Sequence, residues 1–329
     1  MTARNKPPSA LLLALLLLPG MVAAADTADA WLERMNHALH ELDYEGRFVY
    51  LHGQTLEAMY LSHTVTDGQE RERLMSLTGI PREVIRDNNT VTCIVSYPDA
   101  PRVERRPAGR RLSPVQPIRP QLLDHYYRFE LGDIERVAGR KAQVVSIIPL
   151  DNLRYGYWLL LDSEHALPLA TATIGADGHR LSQLLFTQLR VGKEAADDEP
   201  GLSSDIGTSG AKQQVPSTQA SVQPHWRFTD LPDGFIQTRH RQRHMGMDDR
   251  EVDHFIFSDG LATVSVYLEQ EAPGDGEQPQ HPHAVSHLGA VTALTRLLPG
   301  YRATAVGEVP EATLQRLLNG IQAEEQGTP

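Results

Sequence analysis

The sequence predicts an α+β protein that is mostly β: a large, curved, half-open β-barrel around one helix, followed by a smaller α+β domain. Short apolar runs separated by Gly, Asp, Asn and Pro fill most of the first half, a pattern typical of antiparallel strands. A single amphipathic helical pattern precedes them. A polar segment, 193–224, then separates these strands from a second, shorter set, and its composition predicts a linker.

Residues 1–25 are predicted to be an export signal. The apolar run Ala10–Leu18 is too short to span a bilayer, and Ala23–Ala25 supplies small residues for cleavage before Asp26. Because no Cys follows the run, a lipoprotein anchor is excluded. We expect a mature, periplasmic chain beginning near Asp26.

The composition narrows the classes of function. The net charge of −11 becomes −13 when Arg4 and Lys6 leave with the signal, which argues against nucleic acid and anionic membranes as general partners. Cys93 is the only cysteine, so no disulfide can form within the chain. We interpret Cys93 as a buried strand residue; the alternative is an intermolecular disulfide.

The predicted first domain, 26–192, begins with a helix. Asp29 is the predicted N-cap, Gly46 the predicted end, and the apolar stripe is Leu32, Met35, Leu39 and Leu42. Predicted strands follow at Arg47–His52, Leu56–Val65, Glu70–Leu77, Glu83–Arg86, Thr90–Ser96, Tyr126–Leu131 and Ala142–Ile148.

A three-stranded meander completes about ten strands and is the centre of this domain. Its runs are Tyr155–Leu161, Leu167–Ile174 and Leu181–Leu189, separated by hairpin turns. The first run is apolar on both faces, so both faces require cover. The helix can cover one, and a lipid, a lid loop or the second domain can cover the other.

The width of the sheet predicts a cleft for an acyl chain. A helix is ~10 Å across, whereas ten flat strands span ~48 Å. Strand parity selects as candidate lining residues Phe48, Tyr50, Ile94, Val145, Ile147, Trp158, Leu160, Leu184 and Phe186. The alternative is that these side chains form the core beneath the helix.

The segment Pro101–Pro120 carries six arginines and five prolines. Because proline lacks a backbone donor, we predict a loop. Four of its arginines, Arg105, Arg106, Arg110 and Arg111, are candidate ligands for a phosphate or an acidic segment. The alternative is a solvated connector.

The second domain, 225–325, is predicted to be a smaller α+β unit. Its predicted strands are Trp226–Phe228, Phe235–Thr238, Asp253–Phe257, Leu261–Leu268, Ala290–Leu297 and Thr304–Val309. Pro310 begins the closing helix, whose apolar stripe is Leu314, Leu317, Leu318 and Ile321.

No catalytic or cofactor motif is recognisable, so we predict neither an enzyme nor a cofactor. Histidines invite a zinc hypothesis: His281, His283 and His287 lie within seven residues, and His240 and His244 are four apart. The first group lies in a Gly/Pro/Gln-rich stretch without nearby acids at ligand spacing, so no metal site is predicted. A metal-dependent hydrolase remains the alternative that bound zinc would support.

An ordered set of segments resembles the MucB/RseB family, periplasmic negative regulators of the sigma-E (alginate) envelope-stress pathway. The segments are GRFVYLH (46–52), RERLMSLTGIPREVIRDNNTVTCIV (71–95), RYGYWLLLD (154–162), LPLA (167–170), FTQL (186–189), LPDGF (231–235), SDGLATVSVYLE (258–269), GAV (289–291) and VGEVPEATLQRL (306–317). The basic segment and 278–287 are not matched.

The resemblance implies a first domain like the periplasmic lipoprotein carriers and a second domain that supplies most of the docking surface. The implied partner is the periplasmic part of a membrane anti-sigma factor, which the family shields from regulated proteolysis. Lipopolysaccharide or mislocalised acylated lipoprotein is the implied releasing signal. A lipid or lipoprotein carrier is the alternative, and the oligomeric state, monomer or homo-oligomer, stays open.

Overall fold

The computed structural model describes residues 26–98, 100–107, 112, 115–192, 201–202, 226–245, 250–270 and 283–323. The predicted export signal, Arg110, Arg111, His281 and most of the predicted linker lie outside the described residues. In the part that is described, no helix has the length and apolar character needed to cross a membrane.

Helix α1 comprises Ala28–Glu41 and begins one turn before Leu32, the first residue of the predicted apolar stripe. Thr27, rather than the predicted Asp29, is the N-cap: its hydroxyl accepts a hydrogen bond from the Ala30 amide at 3.2 Å. The helix ends at Glu41, not at Gly46, because Leu42 already has an extended backbone. Gly46 instead lies within the first strand.

The first sheet is antiparallel and has eleven strands. Its order is β6-β5-β4-β3-β2-β1-β11-β10-β9-β8-β7. The strands are β1 (Tyr44–His52), β2 (Thr55–Thr66), β3 (Gln69–Ser76), β4 (Arg82–Asp87), β5 (Thr90–Ser96), β6 (Pro101–Pro107), β7 (Tyr127–Val137), β8 (Arg140–Pro149), β9 (Gly156–Asp162), β10 (Pro168–Ile174) and β11 (Arg180–Val191).

This sheet is rolled around α1. Strands β11 and β7 are separated by three others and would lie ~19 Å apart in a flat sheet, yet they approach to within contact distance. Helix α1 lies against β7 and β8 and buries Trp31, Leu32, Met35 and Leu39. The predicted half-open barrel around a helix is therefore the observed fold of the first domain.

The basic segment is only partly a loop, so its prediction was wrong for the first seven residues. Pro101–Pro107 forms β6, which pairs with β5 in register from Thr90 to Ser96. The prolines stand at the two ends of an edge strand, where a missing donor disrupts little of the ladder. Beyond it, Val115 and Ile118 are buried in the core, which no solvated connector would show.

The second domain has a six-stranded antiparallel sheet of order β13-β14-β15-β18-β17-β16, covered on one face by helix α2, Glu311–Asn319. Its strands are β13 (Ile236–Met245), β14 (Arg250–Ser258), β15 (Thr263–Gln270), β16 (His283–Leu288), β17 (Val291–Leu298) and β18 (Tyr301–Gly307). A separate two-stranded pair joins β12, Trp226–Phe228, to β19, Ile321–Ala323.

Three further sequence predictions need correction. The histidine-rich stretch is a strand from His283 onward, not a loop. Ile321 belongs to β19 and not to the closing helix, which ends at Asn319. Cys93 lies in β5 as predicted, but it is half-buried rather than buried.

Candidate functional site: a cleft at the junction of the two domains

A cleft of about 380 Å³ opens inside the rolled sheet, within the range of small-molecule sites. Strands, the segment after β6 and the second domain all contribute to it. The lining residues are Phe48, Tyr50, Met59, Leu74, Leu112, Val115, Gln116, Ile118, Tyr157, Leu159, Thr171, Ala172, Thr173, Ser182, Leu184, Leu261 and Glu308.

Strand register explains the floor of the cleft. Leu184 of β11 pairs with Tyr50 of β1 on one side and with Thr171 of β10 on the other, and Thr171 pairs with Leu159 of β9. Directly paired residues share a face of a sheet. Four neighbouring strands thus present one continuous row to the interior.

A chain segment, residues 115–120, closes part of the open side, and we call it the cover segment. Asn36 of α1 fastens it with two hydrogen bonds: its Nδ2 donates to the Ile118 carbonyl oxygen at 2.6 Å, and its Oδ1 accepts from the Ile118 amide at 2.9 Å. Just before the cover segment, the Leu112 amide donates to the carboxylate of Glu72 at 2.9 Å. The described residues of the predicted basic loop after β6 therefore contribute to a wall of the cleft.

The cleft also contains hydroxyl groups. Burial raises the pKa of the Tyr50 phenol, and the negative charge of Glu308 raises it further. Ser182 lies beside the Tyr50 phenol, and its hydroxyl donates a hydrogen bond to Thr173 at 3.0 Å. A neutral phenol among apolar side chains can donate to an ester or amide oxygen, so the cleft suits a chain that is apolar with one polar group.

Of the nine candidate lining residues, three line this cleft: Phe48, Tyr50 and Leu184. Phe186 lies next to Phe48, with ring centroids 5.2 Å apart. Together with Leu184 it lines a second cavity of about 10 Å³, which is room for about one water molecule.

The remaining candidates lie elsewhere. Ile94, Val145, Ile147 and Leu160 are buried without reaching the cleft. Trp158 is half-buried beneath the Arg180 guanidinium, 4.4 Å from its ring centroid. On β9 the lining residues are Tyr157 and Leu159, one position away from the predicted pair; because both faces of this strand are apolar, parity selected the opposite face.

The two described arginines of the anion-binding hypothesis, Arg105 and Arg106, are exposed on β6, the edge strand of the first sheet. Neither lines the cleft. Strand alternation places them on opposite faces of β6, so the two side chains do not converge on one site.

A buried ion pair joins the two domains beside the cleft. Arg154, before β9, donates from Nε to Asp259 of the second domain at 2.8 Å, and both side chains are 0% exposed. Arg154 also donates to Asp151 and to the Asp233 carbonyl oxygen. The Tyr127 hydroxyl donates to the same Asp259 carboxylate at 2.9 Å, so every charge in the pair has a partner.

Aromatic rings from both domains pack against the Arg154 guanidinium. The Tyr126 ring centroid lies 4.6 Å from it and the Phe235 centroid 5.2 Å. Gly234 has φ of 82°, and a Cβ there would come within 2.5 Å of the Tyr126 ring, so this position requires glycine. We call Arg154, Asp259, Tyr126, Tyr127, Gly234 and Phe235 the domain joint.

The domain joint also shapes a wall of the cleft. The second carboxylate oxygen of Asp259 accepts the amides of Leu261 and Ala262 at 2.9 and 2.7 Å, which forms a tight turn. That turn presents Leu261 to the cleft. Sequence reasoning missed the joint, although RYGYWLLLD, LPDGF and SDGLATVSVYLE each contribute to it.

One group of three potential metal ligands, Asp162, Glu164 and His165, lies together in the described part of the chain. Arg140 already occupies it: Nε and Nη2 donate to the two oxygens of Asp162 at 2.9 Å each, and Nη2 lies 3.3 Å from Glu164. Although burial opposes ionisation, hydrogen bonds from Arg140 and His165 keep the pKa of Asp162 below its usual value. The group is an ion-pair network that fastens the β9–β10 hairpin.

The two groups of the zinc hypothesis lie on different strands where the structure describes them. His240 stacks on Phe255, with ring centroids 4.2 Å apart, and its Nε2 lies 2.7 Å from Asp253. His283 and His287 lie in β16, at the opposite edge of the same sheet.

Comparison with known proteins gives family matches in both domains. Family models match the MucB/RseB N-terminal domain at residues 27–203 and the MucB/RseB C-terminal domain at residues 220–322. The sigma factor AlgU regulatory protein MucB of Pseudomonas aeruginosa is 33% identical over 325 residues, 94% of this chain and 96% of that protein. The sigma-E factor regulatory protein RseB of Escherichia coli K12 is 26% identical over 319 residues, 93% and 94% of the two chains.

Solved structures agree with the sequence matches. The MucA/MucB complex of Pseudomonas aeruginosa superposes with a TM-score of 0.70 at 31% identity and covers 91% of this chain and 99% of that one. A crystal structure of MucB in complex with MucA(peri) gives a TM-score of 0.69 at 30% identity, again over 91% and 99%. Through both of its domains, this chain belongs to the MucB/RseB family of sigma-factor regulatory proteins.

Proposed function

We propose that this chain is a non-catalytic, periplasmic negative regulator of a sigma-E pathway, which binds the periplasmic part of a membrane anti-sigma factor and shields it from regulated proteolysis. The observation that carries the proposal is the family match through both domains, together with the solved complexes of MucB with MucA. The N-terminal pattern at 1–25 supports export to the periplasm.

The experiment is reconstitution with the full mature chain and the periplasmic domain of the anti-sigma factor from the same bacterium. We expect a complex on gel filtration with light scattering, and slower cleavage of the partner by a periplasmic protease. Light scattering of the chain alone distinguishes a monomer from a homo-oligomer. Absence of any complex would contradict the proposal.

The cleft supports a second step: release of the partner by an acyl chain from lipopolysaccharide or a mislocalised lipoprotein. Most of its lining residues are apolar, and Leu261 and Glu308 of the second domain form part of its wall. A chain that enters the cleft would therefore touch both domains. Each buried methylene contributes about 0.8 kcal/mol.

A filled cleft tests this step. Thr171→Phe places a ring in the cleft, whereas the control Thr187→Phe places the same ring on an exposed position of β11. We expect only the first variant to lose binding of a fluorescent fatty acid and release of the partner by lipopolysaccharide. Equal lipid response in both variants would exclude the cleft.

The anion-binding hypothesis is tested separately. Changing Arg105, Arg106, Arg110 and Arg111 together to Ser should weaken release by lipopolysaccharide while Tm changes little, because Arg105 and Arg106 are exposed. Unchanged release would leave these arginines as ordinary surface charges. A lipid or lipoprotein carrier, the alternative function, would transfer the bound lipid to a receptor instead of protecting the partner from cleavage.

A further inference from the structure

The two faces of the six-stranded sheet in the second domain differ in chemistry. One face is dry: Phe255, Phe257 and Val266 pack against Leu314 and Leu317 of α2. Because side chains alternate along a strand, the residues between these belong to the opposite face.

The opposite face is defined by the strand register. Arg239 of β13 pairs with Ile256, which pairs with Ser265 of β15, and Ser265 pairs with Val306 of β18. The next row runs from Arg241 through His254 and Tyr267 to Thr304, and a third pairs Glu269 with Arg302. We call Arg239, Arg241, Arg302, Ile256, Tyr267 and Val306 the arginine face.

This face is basic in an acidic protein. Strand β13, with sequence IQTRHRQRHM, carries three arginines and no acid, although the chain has a net charge of −11. By register, the three rows of this face carry four arginines, at 239, 241, 243 and 302, and one acid, Glu269. Arg239 is exposed and Arg241 and Arg302 are half-buried, as are the apolar Ile256, Tyr267 and Val306 between them.

The first domain contacts the second domain elsewhere. The domain joint lies at the turn around Asp259, which connects β14 to β15, and Thr313 at the start of α2 donates to the Leu153 carbonyl oxygen. A Cβ on Gly289, in the β16–β17 turn, would lie 2.8 Å from the Gly53 amide nitrogen. All three contacts are at strand ends or in α2, so the arginine face does not belong to the domain joint.

We propose that the arginine face binds an acidic segment of the anti-sigma partner, with its carboxylates against Arg239, Arg241 and Arg302 and its apolar side chains against Ile256 and Val306. This inference rests on the proposed function and names the surface and the chemistry that carry it. Guanidinium groups match carboxylates with paired hydrogen bonds, and half-buried apolar side chains between them favour a segment that alternates acids with apolar residues.

Charge reversal tests the proposal. The double variant Arg239→Glu/Arg241→Glu changes the net charge by the same amount as the control Arg128→Glu/Arg136→Glu, whose residues are exposed on β7. Binding of the partner's periplasmic domain to each full mature chain is measured by calorimetry at low and high salt, with Tm as the test of folding. We expect about tenfold weaker binding for the first variant and a change of less than about twofold for the control. Wild-type affinity should fall with salt, and the first variant should lose most of that dependence.

Four outcomes would decide against the proposal in different ways. Absence of binding by the wild type would reject the proposed function itself. Binding by the wild type with equal loss in both double variants would mean a general effect of charge, and binding unchanged in both would mean that the partner docks on another surface. Loss of adhesion to anionic phospholipid vesicles, with partner binding unchanged, would assign the face to a membrane instead.

Discussion

The two large sheets of this protein each pack against one helix, and among the described residues a cleft opens inside the first. Helix α2 has 9 residues and, with the β12–β19 pair, closes the core of a six-stranded sheet. Helix α1 has 14 residues but must cover an eleven-stranded sheet that is rolled around it. The part of the first sheet that α1 does not cover lies beneath the cover segment and Leu261 of the second domain. A binding cleft can therefore arise from a mismatch between sheet width and helix cover.

The comparison also shows how each core is closed. The second domain closes its core with its own residues, whereas one wall of the cleft belongs to the other domain and is held by Asp259. The shape of the cleft thus depends on the arrangement of the two domains. Four substitutions probe how the two cores are closed.

Removing Arg154 should have the largest effect. Arg154→Ala leaves the Asp259 carboxylate buried without its charged partner, and breaking a buried pair in this way costs about 3–5 kcal/mol. We expect one unfolding transition in urea for the wild type and two for the variant, one for each domain, with the lipid affinity of the cleft reduced as well. Arg128→Ala is the control, because its ion pair with Glu130 is 59% and 49% exposed. One unshifted transition in Arg154→Ala would show that the domains are held by other contacts.

Gly46→Ala should have the next largest effect, and it tests the packing between β1 and β11. A Cβ at this position would lie 2.5 Å from the Gln188 carbonyl oxygen and 2.8 Å from the Phe186 ring. Overpacking of this kind typically costs about 1–3 kcal/mol.

A double-mutant cycle sharpens the Gly46 test. In a Phe186→Leu background the ring no longer blocks the new methyl group, so Gly46→Ala should cost less there, as measured by urea denaturation. Equal cost in both backgrounds would assign the strain to the Gln188 backbone alone.

The sequence predicted much of the fold because most strands are short apolar runs ended by turn residues. Ten of the eleven strands of the first sheet were predicted near their observed positions. Strand β6 was missed because its arginines and terminal prolines are unusual in a paired strand, and β16 because it follows a Gly/Pro-rich stretch. In both cases the edge position tolerates residues that a central strand would exclude.

The site was harder to predict. Parity cannot choose the inner face of a strand such as β9 that is apolar on both sides, and the choice depends on the direction in which the whole sheet rolls. Arg154 and Asp259 are 105 residues apart, and neither belongs to a local sequence pattern that predicts a buried ion pair. The domain joint is a tertiary feature, so periodicity and composition do not reveal it.

Asp162→Asn should have a moderate, pH-dependent effect. The pKa of Asp162 is lower in the folded protein, so its contribution to stability is present above the unfolded pKa of about 3.9 and is lost as the pH falls through the folded value. At neutral pH we expect the variant to be about 1–2 kcal/mol less stable than the wild type, through weaker hydrogen bonds from Arg140. The difference, measured by urea denaturation from about pH 7 to about pH 3, should shrink on the acid side. A constant difference would show that the carboxylate charge contributes nothing.

Asn36→Ala should have an effect on stability similar in size to that of Asp162→Asn, and the clearest effect on the cleft. The change removes both hydrogen bonds to Ile118, at a cost of about 1–2 kcal/mol, since each such bond contributes about 1 kcal/mol. Helix α1 keeps its buried stripe, so the fold should remain intact. Because the cover segment then lacks these two hydrogen bonds to α1, it should move away from the cleft more often.

We therefore expect faster entry of a fluorescent fatty acid into Asn36→Ala and faster amide hydrogen exchange at residues 115–120, with exchange in α2 unchanged. Gln121→Ala is the matched control, because its hydrogen bond to Glu33 also joins the region after β6 to α1 but is exposed. If the cover segment regulates access, only Asn36→Ala should accelerate entry. If both variants or neither do so, the cleft is reached from another side, and its open wall must be sought between the β9–β11 meander and the turn that carries Leu261.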